Sequence, residues 1–144
     1  MVGSRVGADL EHVVSFLTSL HEKYPETILV SGGAKGVDHL AEQTWLSFGG
    51  QVVSHRPKQL RYDCYAIEHW RLGGPNPLVW VDANGLTFAD YASACHYRDM
   101  LIADESDRLV AFYRHGRSRG TAFTVEIMRE AYKRPVFEYE AGAA

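Results

Sequence analysis

Ser31-Gly32-Gly33-Ala34-Lys35-Gly36-Val37-Asp38 decides the reading of this 144-residue chain. The stretch follows an apolar, β-branched run, Thr27-Ile28-Leu29-Val30. It precedes Val37, Leu40, Ala41, Thr44, Trp45 and Phe48, which recur at helical spacing. The order is therefore strand, glycine-rich turn, helix. Glycines let the backbone bend tightly and bring bare N–H groups close to a ligand. The helix start adds its positive end at the same place. Such a place suits an anion, most often a phosphate. Lys35 precedes Gly36 instead of following it, so the G-x-x-x-x-G-K-[ST] spacing is absent. The G-x-G-x-x-G dinucleotide pattern is absent as well.

Working outward, a first helix is predicted from about Asp9 to Lys23, with Leu10, Val13, Val14, Leu17 and Leu20 on one face, closed by Pro25. Strand Thr27–Ser31 and a helix from about Gly36 to Phe48 follow, stopped by Gly49-Gly50. The next strand is Gln51 to His55, ended by Arg56-Pro57. Residues 57–90 are less regular. Leu78-Val79-Trp80-Val81 reads as a strand, Asp82-Ala83-Asn84-Gly85 as a turn and Leu86-Thr87-Phe88 as a return strand. A helix runs from about Ala89 to Asp104, and Leu109–Tyr113 has the continuous apolar character of a buried parallel strand. A polar loop, Arg114 to Arg119, leads into a helix opening near Gly120-Thr121, with Ala122, Val125, Met128 and Ala131 inward. Pro135-Val136-Phe137 forms a last strand. Strands alternating with helices predict an α/β fold: one domain over residues 1–139, with a mostly parallel sheet and helices on both faces. A small hairpin insertion falls at about 60–90, and 140–144 form a flexible tail.

Composition narrows the function classes. Hydrophobic content is 46% and charged content 23%, which suits one soluble globular domain with a real core. The formal net charge is −3 with arginine and lysine scattered, so long nucleic acid is not an expected partner. Cys64 and Cys95 form neither a disulfide framework nor a CxxC pair, which fits a reducing cytosol. No apolar run reaches membrane-spanning length and no signal-peptide pattern opens the chain. A cytoplasmic location is expected, with no membrane partner.

In open α/β sheets ligands sit beyond the carboxyl ends of the strands. Three loops are expected there: Gly3-Ser4-Arg5, Ser31 to Gly36, and His115 to Thr121. In the third, Gly116-Arg117-Ser118-Arg119-Gly120-Thr121 offers hydroxyls, backbone N–H groups and positive charge. Two such loops facing each other suit a diphosphate or a nucleotide. Asp38, in the first turn of its helix, either caps loop amides or accepts a hydrogen bond from a ribose hydroxyl. Arg98 either grips a phosphate in bidentate fashion or pairs at the surface with Asp99 or Asp104. Glu126 is an acid/base candidate or an ordinary exposed helix residue. The seven histidines show no metal-ligand spacing, and His96 is merely adjacent to Cys95. No metal and no cofactor is expected.

Taken together, Gly3-Ser4-Arg5, the Ser31–Asp38 stretch, Arg98-Asp99 followed by Asp107, Val110-Ala111-Phe112, and Ser118-Arg119-Gly120-Thr121 resemble the SLOG superfamily. Within it the small YspA/YpsA-like group, frequent in bacteria and phages, is the nearest in pattern. The resemblance implies a Rossmann-like fold that binds nucleotides or nucleotide-derived ligands. Relatives include DprA-like DNA-processing proteins, LOG-type phosphoribohydrolases and sensor domains for ADP-ribose-type signals. By motif match it assigns ligand-facing roles to Gly3, Ser4, Arg5, Gly32, Gly33, Gly36, Asp38, Arg98, Ser118, Gly120 and Thr121. Ser31, Ala34, Lys35, Arg117 and Arg119 complete the expected ligand-binding set. Three departures stand out. Only Met1-Val2 precede Gly3, Asp99 stands where Arg-Asn is common, and Thr124 falls where LOG enzymes carry their glutamate, with Glu126 two positions late.

Three readings follow. The first is a protein that binds ADP-ribose, or a cyclic relative, without turnover, as a sensor or, if phage-encoded, as a sponge in the host cytoplasm. The second is an N-glycosidic hydrolase acting on a nucleoside monophosphate, with Glu126, Asp38 and Arg98 as its catalytic candidates. The third is a DprA-like DNA-processing accessory, which the acidic balance disfavours. A homo-oligomer is expected.

Overall fold

The computed structural model describes residues 2–3, 10–34, 36–81, 85–114 and 119–141. The elements in chain order are β1 (Val2–Gly3), α1 (Leu10–Lys23), β2 (Ile28–Ser31), α2 (Val37–Ser47), β3 (Gln51–Arg61), β4 (Cys64–Leu72), β5 (Leu78–Val81), α3 (Tyr91–Glu105), β6 (Leu109–Arg114), α4 (Arg119–Glu126) and β7 (Val136–Ala141). Directly after α4 the helix widens into a π segment, Ile127–Ala131. Asp90 caps α3, its carboxylate accepting from the Ser93 N–H at 2.7 Å.

The strands form two sheets. One is wholly parallel, in the order β1-β6-β7. The other is mixed, in the order β2-β3-β4-β5, with β2 parallel to β3 and the remaining pairs antiparallel. The expectation of one mostly parallel sheet is therefore corrected. Its cause is the chain after His55. The strand expected to end at Arg56-Pro57 continues to Arg61 and turns back as β4, giving a long hairpin paired from Val52↔Leu72 to Arg61↔Cys64. Pro57 is tolerated because β2 pairs only as far as Ser54, which leaves β3 a single neighbour beyond that point. The expected return strand Leu86–Phe88 is not a strand. Phe88 makes one isolated antiparallel bridge to Tyr65. The last strand reaches Ala141, past the expected start of the tail.

Helices cover both faces, as the alternation of elements predicts. Val13, Leu17, Leu29, Val37, Ala41, Trp45 and Val52 make one core between α1, α2 and the mixed sheet. Ile102, Ala103, Leu109, Ala111, Val125 and Met128 make another between α3, α4 and the parallel sheet. Each core borrows across the gap: Val110 of β6 packs on the first and Val30 of β2 on the second. The two sheets thus share one interior. Trp45 is fully buried in the first core, and its indole N–H donates to the Thr27 carbonyl at 3.1 Å. Among the described residues no helix is long and apolar enough to cross a membrane.

Candidate functional site

The turn between β2 and α2 is built from its own backbone. Ser31 is buried, and its hydroxyl accepts the Gly33 N–H at 3.2 Å. Gly33 has φ +67° and Gly36, which precedes the helix, has φ +89°. Both values lie where an L side chain is strained. Gly36 supplies no side-chain cap to α2, so the first N–H groups of the helix are left to other partners. Asp38 supplies one internal contact: its Oδ2 accepts the Ala34 N–H at 3.3 Å.

Asp38 is 6% exposed, and its second oxygen, Oδ1, has no hydrogen-bond partner among the described residues. Burial raises its pKa from 3.8 to about 6, although the nearby Arg98 guanidinium pulls the other way. A buried carboxylate oxygen lacking a donor among the described residues is suited to accept a hydroxyl or an N–H from a ligand.

Arg98 does not act as the sequence suggests at its simplest. It is 8% exposed, so it is not a surface pair. Its Nη1 donates to the Gly32 carbonyl at 3.0 Å and its Nε to Asp99 Oδ1 at 2.8 Å. Burial opposes the charge, but Asp99 and Asp38 outweigh it and raise the guanidinium's pKa. Burial also raises the pKa of Asp99, against Arg98 and a hydrogen bond from Thr124. Gly32 is a glycine because a Cβ there would come within 2.8 Å of Arg98 Cδ and 3.0 Å of Asp38 Oδ2. Arg98 therefore ties α3 to the turn and holds Gly32 and Asp38 in place.

A second guanidinium, which the sequence reading did not single out, is more exposed: the Arg56 side chain keeps 29% of its surface against 10% for Arg98. A Cβ at Gly33 would collide with the Arg56 side chain, so Arg56 lies directly against the turn. Its Nη2 donates to Glu42 Oε1 at 2.5 Å, and its Nε donates to the Ser54 hydroxyl at 3.0 Å. Ser54 in turn donates to Glu42 Oε2 at 3.0 Å. The guanidinium sits 4.3 Å from the centroid of Trp70. Glu42 and Ser54 are buried, whereas the Arg56 side chain keeps 29% of its surface exposed. The signal for this cluster was present but faint: Asp38 and Glu42 are four apart on α2, next to the apolar stripe of Val37, Ala41 and Trp45.

The structure thus brings together Ser31, Gly32, Gly33, Ala34, Gly36, Asp38 and Arg98. Ser4, Arg5, Lys35, Arg117 and Ser118 lie outside the described residues. Gly3 ends β1 opposite Phe112, Arg119 and Gly120 open α4, and Thr121 is buried. α2 packs on β1 as well as β2, and α4 packs on β1 and β6, so β1 lies between the helices that follow the two glycine loops. Glu126 is exposed at the end of α4, and among the described residues no hydrogen bond joins it to the turn. Thr124 is fully buried beside Asp99.

Residues 1–62 match the model of the YspA, cpYpsA-related SLOG family. The match spans less than half of the 144-residue chain. The matched segment contains β1, the Ser31–Asp38 turn, α2 with Glu42, and β3 with Arg56. Arg98, Thr121 and Glu126 lie beyond it. No curated protein and no solved structure matches the chain.

Proposed function

We propose that this chain, whose residues 1–62 match the SLOG family model, binds a nucleotide-derived small molecule of the ADP-ribose or cyclic ADP-ribose type at the Ser31–Asp38 turn and holds it without turnover. The observation that carries this reading is the buried Asp38 Oδ1, which lacks a donor among the described residues beside the glycine turn. A ribose hydroxyl supplies that donor, the uncapped α2 N-terminus takes a phosphate, and the partly exposed Arg56, paired to Glu42, lies beside it. The expected roles of Ser4, Arg5, Lys35, Arg117, Ser118, Arg119, Gly120 and Thr121 as further ligand contacts belong to this proposal. A molecule kept intact makes the protein a sensor or a sequestering sponge.

One observation favours the hydrolytic alternative. A carboxyl with a pKa of about 6 is placed to exchange a proton near neutral pH, as N-glycosidic cleavage requires. Native mass spectrometry with AMP, ADP-ribose and cyclic ADP-ribose isomers, followed by chromatography of each ligand, separates the two. Intact ligand recovered from a stable complex is the expected result. Release of free base and ribose phosphate, lost in Asp38→Asn, would reverse the ranking. The same spectra test self-association: a dimer or larger species is expected, and a 16.2 kDa monomer alone argues against it.

A further inference from the structure

The opposite face of the β3–β4 hairpin carries a second polar cluster. Side chains alternate along a strand, so Ser54 and Arg56 face α2 while Val53 and His55 face α3. His55 lies directly across from His69 on β4, and Trp80 on β5 lies across from His69. These residues, with Arg71, Tyr97 and Glu105, border a cavity of about 460 Å³ between the hairpin and α3. Its volume is in the range of sites for one- or two-ring ligands.

The interior wall is unusual for a sheet face under a helix. His55 and His69 are 3% and 6% exposed, positions where an aliphatic residue packs at lower cost. The two Nδ1 atoms are 2.7 Å apart, and His55 Nε2 lies 2.7 Å from Glu105 Oε2. Proton counting fixes the arrangement. The Glu105 carboxylate accepts from His55 Nε2–H. One proton, and no more, fits between the facing Nδ1 atoms. With both rings neutral that proton belongs to His69. Uptake of one further proton at His69 Nε2, with the shared proton passing to His55 Nδ1, turns the pair into an imidazole–imidazolium whose charge rests on His55, beside Glu105. The remaining charged or titratable groups facing the cavity among the described residues are Arg71 on β4 and Tyr97 on α3. Arg71 is exposed, with its guanidinium 5.6 Å from the Trp80 centroid.

We propose that this cavity is a second binding site, for a small planar aromatic anion, and that binding draws one proton onto the His55–His69 pair. Trp80, Tyr97 and neighbouring leucines supply the surface for the ring. Arg71 and the protonated imidazoles supply the countercharge, with the proton taken from solvent. The Ser31–Asp38 turn has no part in it, so this site stands or falls separately from the nucleotide reading.

The probe is benzoate, with benzamide as its neutral match, titrated against the full chain by calorimetry in two buffers of different ionisation heat. NMR of the indole and imidazole protons reports the location. Benzoate is expected to bind with proton uptake, and about tenfold more tightly at pH 5.5 than at pH 8, while benzamide binds more weakly and without pH dependence. Arg71→Ala, an exposed change that leaves the fold intact, is expected to weaken benzoate about tenfold. His69→Gln is expected to remove proton uptake, and Asp38→Asn to change neither. No benzoate binding, binding unaffected by Arg71→Ala, or equal affinity at both pH values would overturn the proposal.

Discussion

At Gly33 two constraints meet in one residue. Its φ of +67° strains any side chain, and its missing Cβ makes room for Arg56. Gly49 carries the first constraint alone: φ is +82°, and a methyl group there would have nothing within 4 Å. Gly49→Ala is therefore expected to cost about 1 kcal/mol and Gly33→Ala about 2–3 kcal/mol in urea unfolding. Equal losses would mean that Arg56 yields freely. Asp38 sets a pH dependence of definite sign. Its carboxyl has a pKa of 3.8 in the unfolded chain and about 6 in the fold. Between those values the folded state binds more protons, so stability contributed by this group is full below pH 3.8 and is lost as pH rises through about 6. Asp38→Asn should flatten that part of the Tm-versus-pH curve, and a variant with the same slope as the parent would remove Asp38 as its source.

The β3–β4 hairpin is the element that reshapes the site. By running past Pro57 it carries Ser54 and Arg56 onto Glu42 and stacks Arg56 on Trp70. Glu42 is buried, so removal of its guanidinium leaves an uncompensated charge. Arg56→Met is expected to destabilise by about 3 kcal/mol. Lys58→Met, two residues further along β3, breaks a pair with Glu68 of β4 in which the lysine is half exposed and the carboxylate keeps a hydrogen bond from Trp70, and is expected to cost less than about 1 kcal/mol. A similar cost for both in denaturant titrations would contradict the buried-pair account. Arg98 plays a comparable part on α3, because it joins that helix to the Gly32 carbonyl.

Across the whole molecule, the hairpin divides the functions of its two faces. The α2 face completes the glycine turn, and the α3 face forms the histidine cavity. The parallel sheet and the mixed sheet are coupled through Val30 and Val110, each of which packs in the other sheet's core. α3 packs against both sheets, and through Arg98, Tyr97 and Glu105 it borders both candidate sites. The family match ends at residue 62, the tip of the hairpin, so the return strand β4 and all of α3 are supplied by sequence beyond it.

Much of this was legible in the chain itself. The Ser31–Asp38 stretch determined strand, turn and helix because glycine spacing and a 3.6-residue apolar period act locally. The same local signals placed α1, β5, α3 and β6 to within a residue or two. The SLOG resemblance also rested on contiguous motifs. The tertiary structure decided what depends on partners far along the chain. Pro57 read as a strand end, because the sequence does not show that β2 stops pairing at Ser54. Arg98 read as either a phosphate grip or a surface pair, because its burial against Gly32, 66 positions away, is set by the docking of α3. His55 and His69 read only as lacking metal-ligand spacing, because their meeting depends on the cross-strand register of the hairpin. Local backbone preference wrote the elements, while long-range packing chose which polar groups meet.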